Sequence, residues 1–252
     1  MALQDDAIVL RLVDYSETSQ ITTLMTRATG VVRLIAKGVR RSTKTRFSPG
    51  LDLMERGRVV FTLPRNEAQL GALIEWTQID GFRELRRDLD RLYAGLYAIE
   101  TAAALTHEHD PHPLVFDAMV DLFETLAGRR NAPQPDWPLL SAVVRYQAAL
   151  LRTIGYAPNL KQCTVCGREA ATGRAAWFSA RAGGLVCRAC APQVADCRPL
   201  PARLLDPDRS RTLVREWFDL LNNCLQERAG RDFRTVSRLV ARHAATRRRK
   251  TP

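Results

Sequence analysis

Long hydrophobic runs are missing from this chain: no stretch of its 252 residues approaches the ~18 consecutive apolar residues of a membrane span. Positive charge is missing at the start, where Met1 to Asp6 carries two acids and no cation. A secretory leader would open on cations ahead of its apolar core. Both gaps point to a cytoplasmic protein with no membrane partner. Catalytic signatures are equally sparse. There is no P-loop, no GxSxG elbow, no Rossmann glycine pattern and no carboxylate cluster suited to two-metal nuclease chemistry, which weakens the case for an enzyme. Histidine is rare, and three of the four sit in one segment, His107-Glu108-His109-Asp110-Pro111-His112. A metal-dependent hydrolase built on His107, His109, Asp110 and His112 is the rival that this segment raises. It weighs little, because the spacing is not the helical HExxH and the prolines mark a connection between helices.

Positive charge is what the chain has in excess. Thirty-eight Lys and Arg against 27 Asp and Glu leave +11, a balance that favours an acidic polymer or surface as partner. The excess sits near the ends, with nine cations and two acids from Arg27 to Arg58, and nine cations and one acid from Arg228 to Lys250. Within the first of these, KGVRRSTKTRF, residues 37–47, holds Lys37, Arg40, Arg41, Lys44 and Arg46 and no acid. A solvated loop needs polarity but not mutual repulsion, so these five are candidate phosphate contacts. Phe47, closing the stretch, has two readings. It stacks on a base, or it plugs the core, and the second weighs more because a lone aromatic after a basic loop is a weak stacking signal.

The first 80 residues carry strand signals over Ala7–Val13, Gln20–Thr26, Val31–Ala36, Arg58–Leu63 and Gln69–Thr77, short runs rich in β-branched residues between turn formers. Gly30 can take the positive φ that a hairpin turn demands. Five short strands with a long basic connection after the third fit an oligonucleotide/oligosaccharide-binding (OB) barrel better than a sandwich of about seven. An SH3-like barrel is the alternative. After Thr77 the apolar spacing turns helical, with helices expected near 83–106, 113–128, Pro138–Ile154, Ser210–Glu227 and Phe233–Thr246. The expected architecture is α+β and multidomain: an OB-fold domain over 1–80 that binds nucleic acid, an α-helical domain over 81–252, and a small module inserted at 160–195.

That module is marked by cysteine. Cys163-Thr-Val-Cys166 and Cys187-Arg-Ala-Cys190 form two CxxC pairs separated by twenty residues. Each pair places two thiolates on one tight turn, and two such turns complete a tetrahedral zinc shell. In a reducing compartment this reading outweighs disulfides. Strands over Ala175–Ser179 and Gly184–Val186 supply a zinc ribbon. Four thiolates leave no open position on the metal, so one structural Zn2+ per chain is expected. Cys197 and Cys224 lack a CxxC partner and read as packed small side chains.

The stretch VDYSETSQITTLMTRATGVVRLIAKGVRRSTKTRF resembles the amino-terminal signature of the RecO family of bacterial recombination mediators, through Asp14-Tyr15, Glu17, Ser19, the Thr26–Gly30 hairpin and Ala36-Lys37-Gly38 ahead of paired cations. The resemblance continues through LYAGLYAIETAAAL, LLRTIGYAPNLKQCTVCG and FSARAGGLVCRAC. It implies an OB barrel followed by a helical domain carrying the zinc module, and a non-enzymatic, nucleoid-associated role. Such proteins bind single- and double-stranded DNA, anneal complementary strands, associate with RecR, and help load RecA onto strands coated by single-strand DNA-binding protein. Val236 ahead of Ser237-Arg238, and Leu51-Asp52-Leu53, depart from the frequent family pattern. The competing class is an RNA-binding or ribosome-associated protein with the same two modules.

Overall fold

A computed structural model describes residues 1–38, 47–48, 51–64, 70–132, 138–169, 176–205 and 213–239. Its first six strands are β1 (Leu3–Asp14), β2 (Gln20–Thr26), β3 (Gly30–Ala36), β4 (Phe47–Ser48), β5 (Arg56–Thr62) and β6 (Gly71–Asp80). They run in the order β3-β2-β1-β5-β6, and β3 then pairs in parallel with β6, closing a five-stranded barrel of the OB type. The expected SH3-like alternative is thereby set aside. Short β4 pairs in parallel with β6 beyond the β3 contact, Phe47 opposite Trp76.

Closure follows from alternation. Val9, Leu24, Val32, Leu34, Val59, Phe61, Leu73 and Trp76 point inward and are buried, so each strand contributes one apolar face to a shared interior. The seam depends on a glycine. A Cβ at Gly71 would lie 2.4 Å from the Thr62 carbonyl oxygen and 2.7 Å from Leu34 Cδ2, so β6 can approach both neighbours only without a side chain there. Gly71→Ala is expected to cost about 1–3 kcal/mol through forced strand displacement. Equilibrium urea unfolding measures it, and an unchanged midpoint would contradict the seam.

The β2–β3 hairpin turns at Gly30, φ +83°, as its sequence predicts. Asp5 Oδ2 accepts from the backbone N–H groups of Ala28 and Thr29, and Thr26 Oγ1 donates to the Gly30 carbonyl at 2.8 Å. Turn donors and a buried hydroxyl are thus satisfied without water.

Helix α1 (Leu89–Leu105) starts six residues later than its apolar spacing suggests. Asp88 is extended, and its Oδ1 accepts from the N–H groups of Asp90 and Arg91, an N-cap that sets the start. Residues Arg83–Arg87 before it form a separate 3-10 turn. Helix α2 (Pro113–Leu126) opens on Pro113, whose missing N–H costs nothing at a first turn. Further on come α3 (Pro138–Thr153), β7 (Ala176–Ser179), β8 (Gly184–Val186), β9 (Arg198–Leu200) and α4 (Val214–Ala229), with helical residues again over 234–239. The remainder of the two carboxy-terminal helices expected from sequence lies outside the described residues.

The backbone divides into two compact units, 1–130 with 235–252, and 131–234. In the first, α1 and α2 pack with the barrel. The second holds α3, α4 and the three-stranded sheet β8-β7-β9. Within the first unit the histidine segment is a strut: the His109 N–H donates to the Val31 carbonyl at 3.0 Å, and the Asp110 backbone occupies the space beside Gly30. His112 Nε2 lies 3.1 Å from Asp110. Among the described residues these histidines do not converge as metal ligands.

Candidate metal centre and nucleic-acid interface

The four cysteines of the two CxxC pairs meet. Cys163, Cys166, Cys187 and Cys190 bring their sulfurs within 4.8 Å of one another. Each pair sits on a tight turn, closed by the Gly167 N–H on the Cys163 carbonyl at 2.9 Å and by the Cys190 N–H on the Cys187 carbonyl at 3.0 Å. Gly167 holds φ +73°, the relief of crowding that its position predicts. Thr164 N–H donates to Leu185 O at 2.8 Å, and Cys187 N–H donates to Cys163 Sγ at 3.3 Å, so β8 carries the second turn against the first.

Sulfur spacing tests what this cluster can hold. Cys166 Sγ and Cys187 Sγ are 3.7 Å apart. A disulfide needs ~2.05 Å, while sulfurs at the corners of a tetrahedron with ~2.3 Å metal–sulfur bonds stand about 3.8 Å apart. All six cysteines are free thiols. The donor set and the spacing therefore fit a zinc ion. Burial opposes ionisation of Cys163, but amide donors from Cys187, Cys166 and Val165 bring its thiol down to about 6. Sharing a hydrogen bond with Cys187, together with burial, pushes Cys190 up to about 12. Four crowded sulfurs cannot all ionise alone, and a divalent cation supplies the missing charge.

Cys224, read from sequence as a packed small side chain, is buried in α4, and burial pushes its thiol up to about 12. Cys197 is partly exposed and stands outside the four-sulfur group.

At the proposed nucleic-acid interface, β3 ends at Ala36 and delivers exposed Lys37 into a turn. Gly38 follows with φ +76° and open space around it. Arg40, Arg41, Lys44 and Arg46 lie outside the described residues, and the Phe47 backbone pairs with Trp76. Several barrel cations are already engaged. Arg27 meets Asp117 at 2.9 Å, Arg33 meets Glu108 at 3.4 Å, and Arg56 and Arg58 both meet Asp6, at 3.0 and 3.7 Å.

One feature escaped sequence reasoning. Between α3 and α4, Val144, Ala148, Leu151, Val214, Trp217 and Leu221 line an apolar groove of about 420 Å³, to which Arg145 and Arg152 also contribute. Each helix shows an apolar stripe in sequence, but a stripe that packs and one that lines a groove look alike until the partner helix is placed.

Most of the chain matches two family models, whose boundary near residue 84 follows the barrel and not the division into compact units. Residues 1–82 match the model described as Recombination protein O N terminal, and residues 86–236 match Recombination protein O C terminal. The chain belongs to the RecO family. A protein of Rhodopirellula baltica named DNA repair protein RecO is 36% identical over 187 residues, 74% of this chain and 66% of that one. Another so named, from a Nocardioides species, is 31% identical over 248 residues, covering 97% of this chain and 94% of its own. A third, from Myxococcus xanthus, is 31% identical over 202 residues, 80% and 78% of the two chains.

In this RecO-family chain the departure at Val236 falls in the short helix over 234–239. The neighbouring Thr235 donates its N–H and hydroxyl to Glu100 Oε2 at 3.1 and 2.7 Å. This anchors the helix to α1. The other departure, Leu51-Asp52-Leu53, is tied down by Arg86, which donates to Asp52 Oδ2 at 2.8 Å and to the Leu53 carbonyl at 2.6 Å.

Proposed function

We propose that this chain is a DNA-binding recombination mediator acting in DNA repair in the cytoplasm, on the nucleoid. It binds single- and double-stranded DNA, anneals complementary strands and, with RecR, helps load RecA onto strands coated by single-strand DNA-binding protein. The observation that carries the reading is the closed barrel whose acid-free basic connection leaves β3 at Lys37. Lys37, Arg40, Arg41, Lys44 and Arg46 would neutralise phosphates and release condensed counterions, a drive independent of base sequence. Family membership and the relatives named for DNA repair favour DNA over the RNA-binding alternative. Annealing needs no catalytic residue. A protein that screens the repulsion between strands while leaving base edges free lowers the cost of their encounter.

The domains divide the work: the barrel over 1–80 takes the strand, and the helical part over 81–252 takes protein partners. The groove of Trp217 suits an acidic tail ending in an apolar residue, such as that of single-strand DNA-binding protein, with its apolar end buried and Arg145 and Arg152 facing its acids. The module at 160–195 holds one structural Zn2+.

Salt-dependent oligonucleotide binding tests the reading. At about 0.1 M salt, Arg40→Ala, Arg41→Ala and Lys44→Ala together are expected to weaken single-strand affinity about 100-fold and to flatten the salt slope by about 2. Annealing of free strands and of strands coated by single-strand DNA-binding protein should fall with it. Unchanged affinity removes the loop from the mechanism, and a preference for matched RNA in competition favours the RNA reading.

A further inference from the structure

The positive charge is not confined to the barrel's unit: residues 1–130 with 235–252 carry 23 Lys and Arg against 18 Asp and Glu, a net of +5, and residues 131–234 carry 15 against nine, a net of +6. Within the latter, residues 160–200 hold six cations, Lys161, Arg168, Arg174, Arg181, Arg188 and Arg198, and only two acids, Glu169 and Asp196.

The neighbours of these side chains sort them. Arg181 pairs with Glu227 at 3.1 Å, and the Arg198 guanidinium lies over the Phe178 ring. Asp196 accepts from Ser179 Oγ at 2.6 Å and from the Arg181 N–H at 3.2 Å, so it is engaged within the fold. Lys161, Arg168 and Arg188 are exposed and have no carboxylate partner among the described residues. They share one location. Lys161 precedes Cys163 by two residues, Arg168 follows Cys166 by two, Arg188 follows Cys187 by one, and the sulfurs of those cysteines are gathered within 4.8 Å. Val165, at the tip of the first turn, is 49% exposed.

We propose that this face of the cysteine module is a second binding surface for a nucleic-acid strand, separate from the barrel loop. This rests on the DNA-binding reading above. Lys161, Arg168 and Arg188 grip phosphates, and Val165 offers the apolar contact that a sugar or an unstacked base would cover. Two strands must be screened at once for annealing, and two separate cationic surfaces let one chain hold both while their base edges stay free. The rival role for the same cations is to offset the net −2 that four thiolates and one divalent ion would leave.

The test uses the full, zinc-loaded chain. Lys161→Gln, Arg168→Gln and Arg188→Gln together should slow annealing of two complementary oligonucleotides at least tenfold. Affinity for a first single strand, held by the barrel loop, should change less than threefold, and zinc should stay at about one per chain. Lys161→Arg with Arg168→Lys and Arg188→Lys, which keep the charge, should anneal as the unaltered chain does. Annealing that survives the Gln substitutions overturns the second surface, and zinc lost together with annealing assigns the cations to the metal instead. If the unaltered chain binds no oligonucleotide, the DNA-binding reading itself fails.

Discussion

Replacing Cys166 and Cys190 together by serine is expected to abolish metal binding and lower the thermal midpoint by more than 10 °C. The module has little else to hold it. Its buried apolar side chains are few, chiefly Phe178, Leu185, Val186 and Leu200, and its sheet has strands of four, three and three residues. A sheet this small cannot repay the entropy of ordering some forty residues. Structural zinc contributes ~10–16 kcal/mol of binding energy at neutral pH, which exceeds most domain stabilities. The sulfurs are already placed at tetrahedral spacing, and hydroxyls cannot replace thiolates as ligands for this ion. Cys224→Ser, buried in α4 away from the cluster, is expected to cost ordinary core stability and leave zinc at about one per chain. A metal assay with thermal unfolding checks both variants. A preparation of the unaltered chain that contains no zinc, or a double variant that melts as the original does, would falsify the structural-metal reading.

The second large effect is a pH dependence built into the turn that leads into β5. Glu55 is 8% exposed, its Oε1 accepts from Gln78 Nε2 at 2.6 Å, and its Oε2 accepts from the Asp52 N–H at 3.1 Å. Burial pushes its carboxyl up to about 7 from 4.5, with the charge of Asp52 adding to the rise, while the Asp52 amide, Arg86 and Gln78 pull the other way. A folded-state value above the unfolded one means that the native state binds the proton more tightly. The stabilisation is fully present below about pH 4.5 and is lost as pH rises through about 7.

A rise of this size corresponds to at most ~3 kcal/mol between pH 4.5 and pH 8.5. Glu55→Gln keeps one acceptor oxygen for the Asp52 N–H, presents its NH2 to a Gln78 amide that can turn its oxygen to accept, and has no charge to bury, so it should be more stable than the original at pH 8.5 and nearly level with it at pH 5. Urea midpoints across that range decide it, and parallel curves for the two proteins would remove Glu55 as the titrating group.

Much of this was legible in local pattern. Strand β2 was readable from Gln20 to Thr26 because alternation, β-branched residues and a flanking glycine all agree there, and the hairpin needed positive φ only where glycine stands. Where β1 begins was harder to see. Gln4, Asp5 and Asp6 lie ahead of the strand start expected at Ala7, yet they pair with Val60, Val59 and Arg58 of β5, and Asp6 is held by Arg56 and Arg58. Strand β9 was missed because Pro199 within a three-residue run reads as a break. As an edge strand against β7 it tolerates the missing N–H. The texture change near Thr77 marks where strands give way to helices, whereas the compact unit continues to Arg130, because α1 and α2 bury their apolar faces on the barrel's own side of the fold.

What the sequence determined by itself was whatever depends on spacing along the chain: two CxxC turns fit for one ion, five strands of barrel length, and an acid-free basic connection, since these rest on periods of two to four residues. Tertiary structure alone decided whatever depends on distance across it. It brought Cys166 and Cys187, twenty-one positions apart, to 3.7 Å, closed the ring where β3 meets β6 at a glycine, and turned the histidine segment into a strut beside Gly30. It also paired Arg27, Arg33, Arg56 and Arg58 with carboxylates, while Lys161, Arg168 and Arg188 have no carboxylate partner among the described residues. Charge along a sequence is a sum, while the field it exerts depends on which opposite charges the fold sets within a few ångströms.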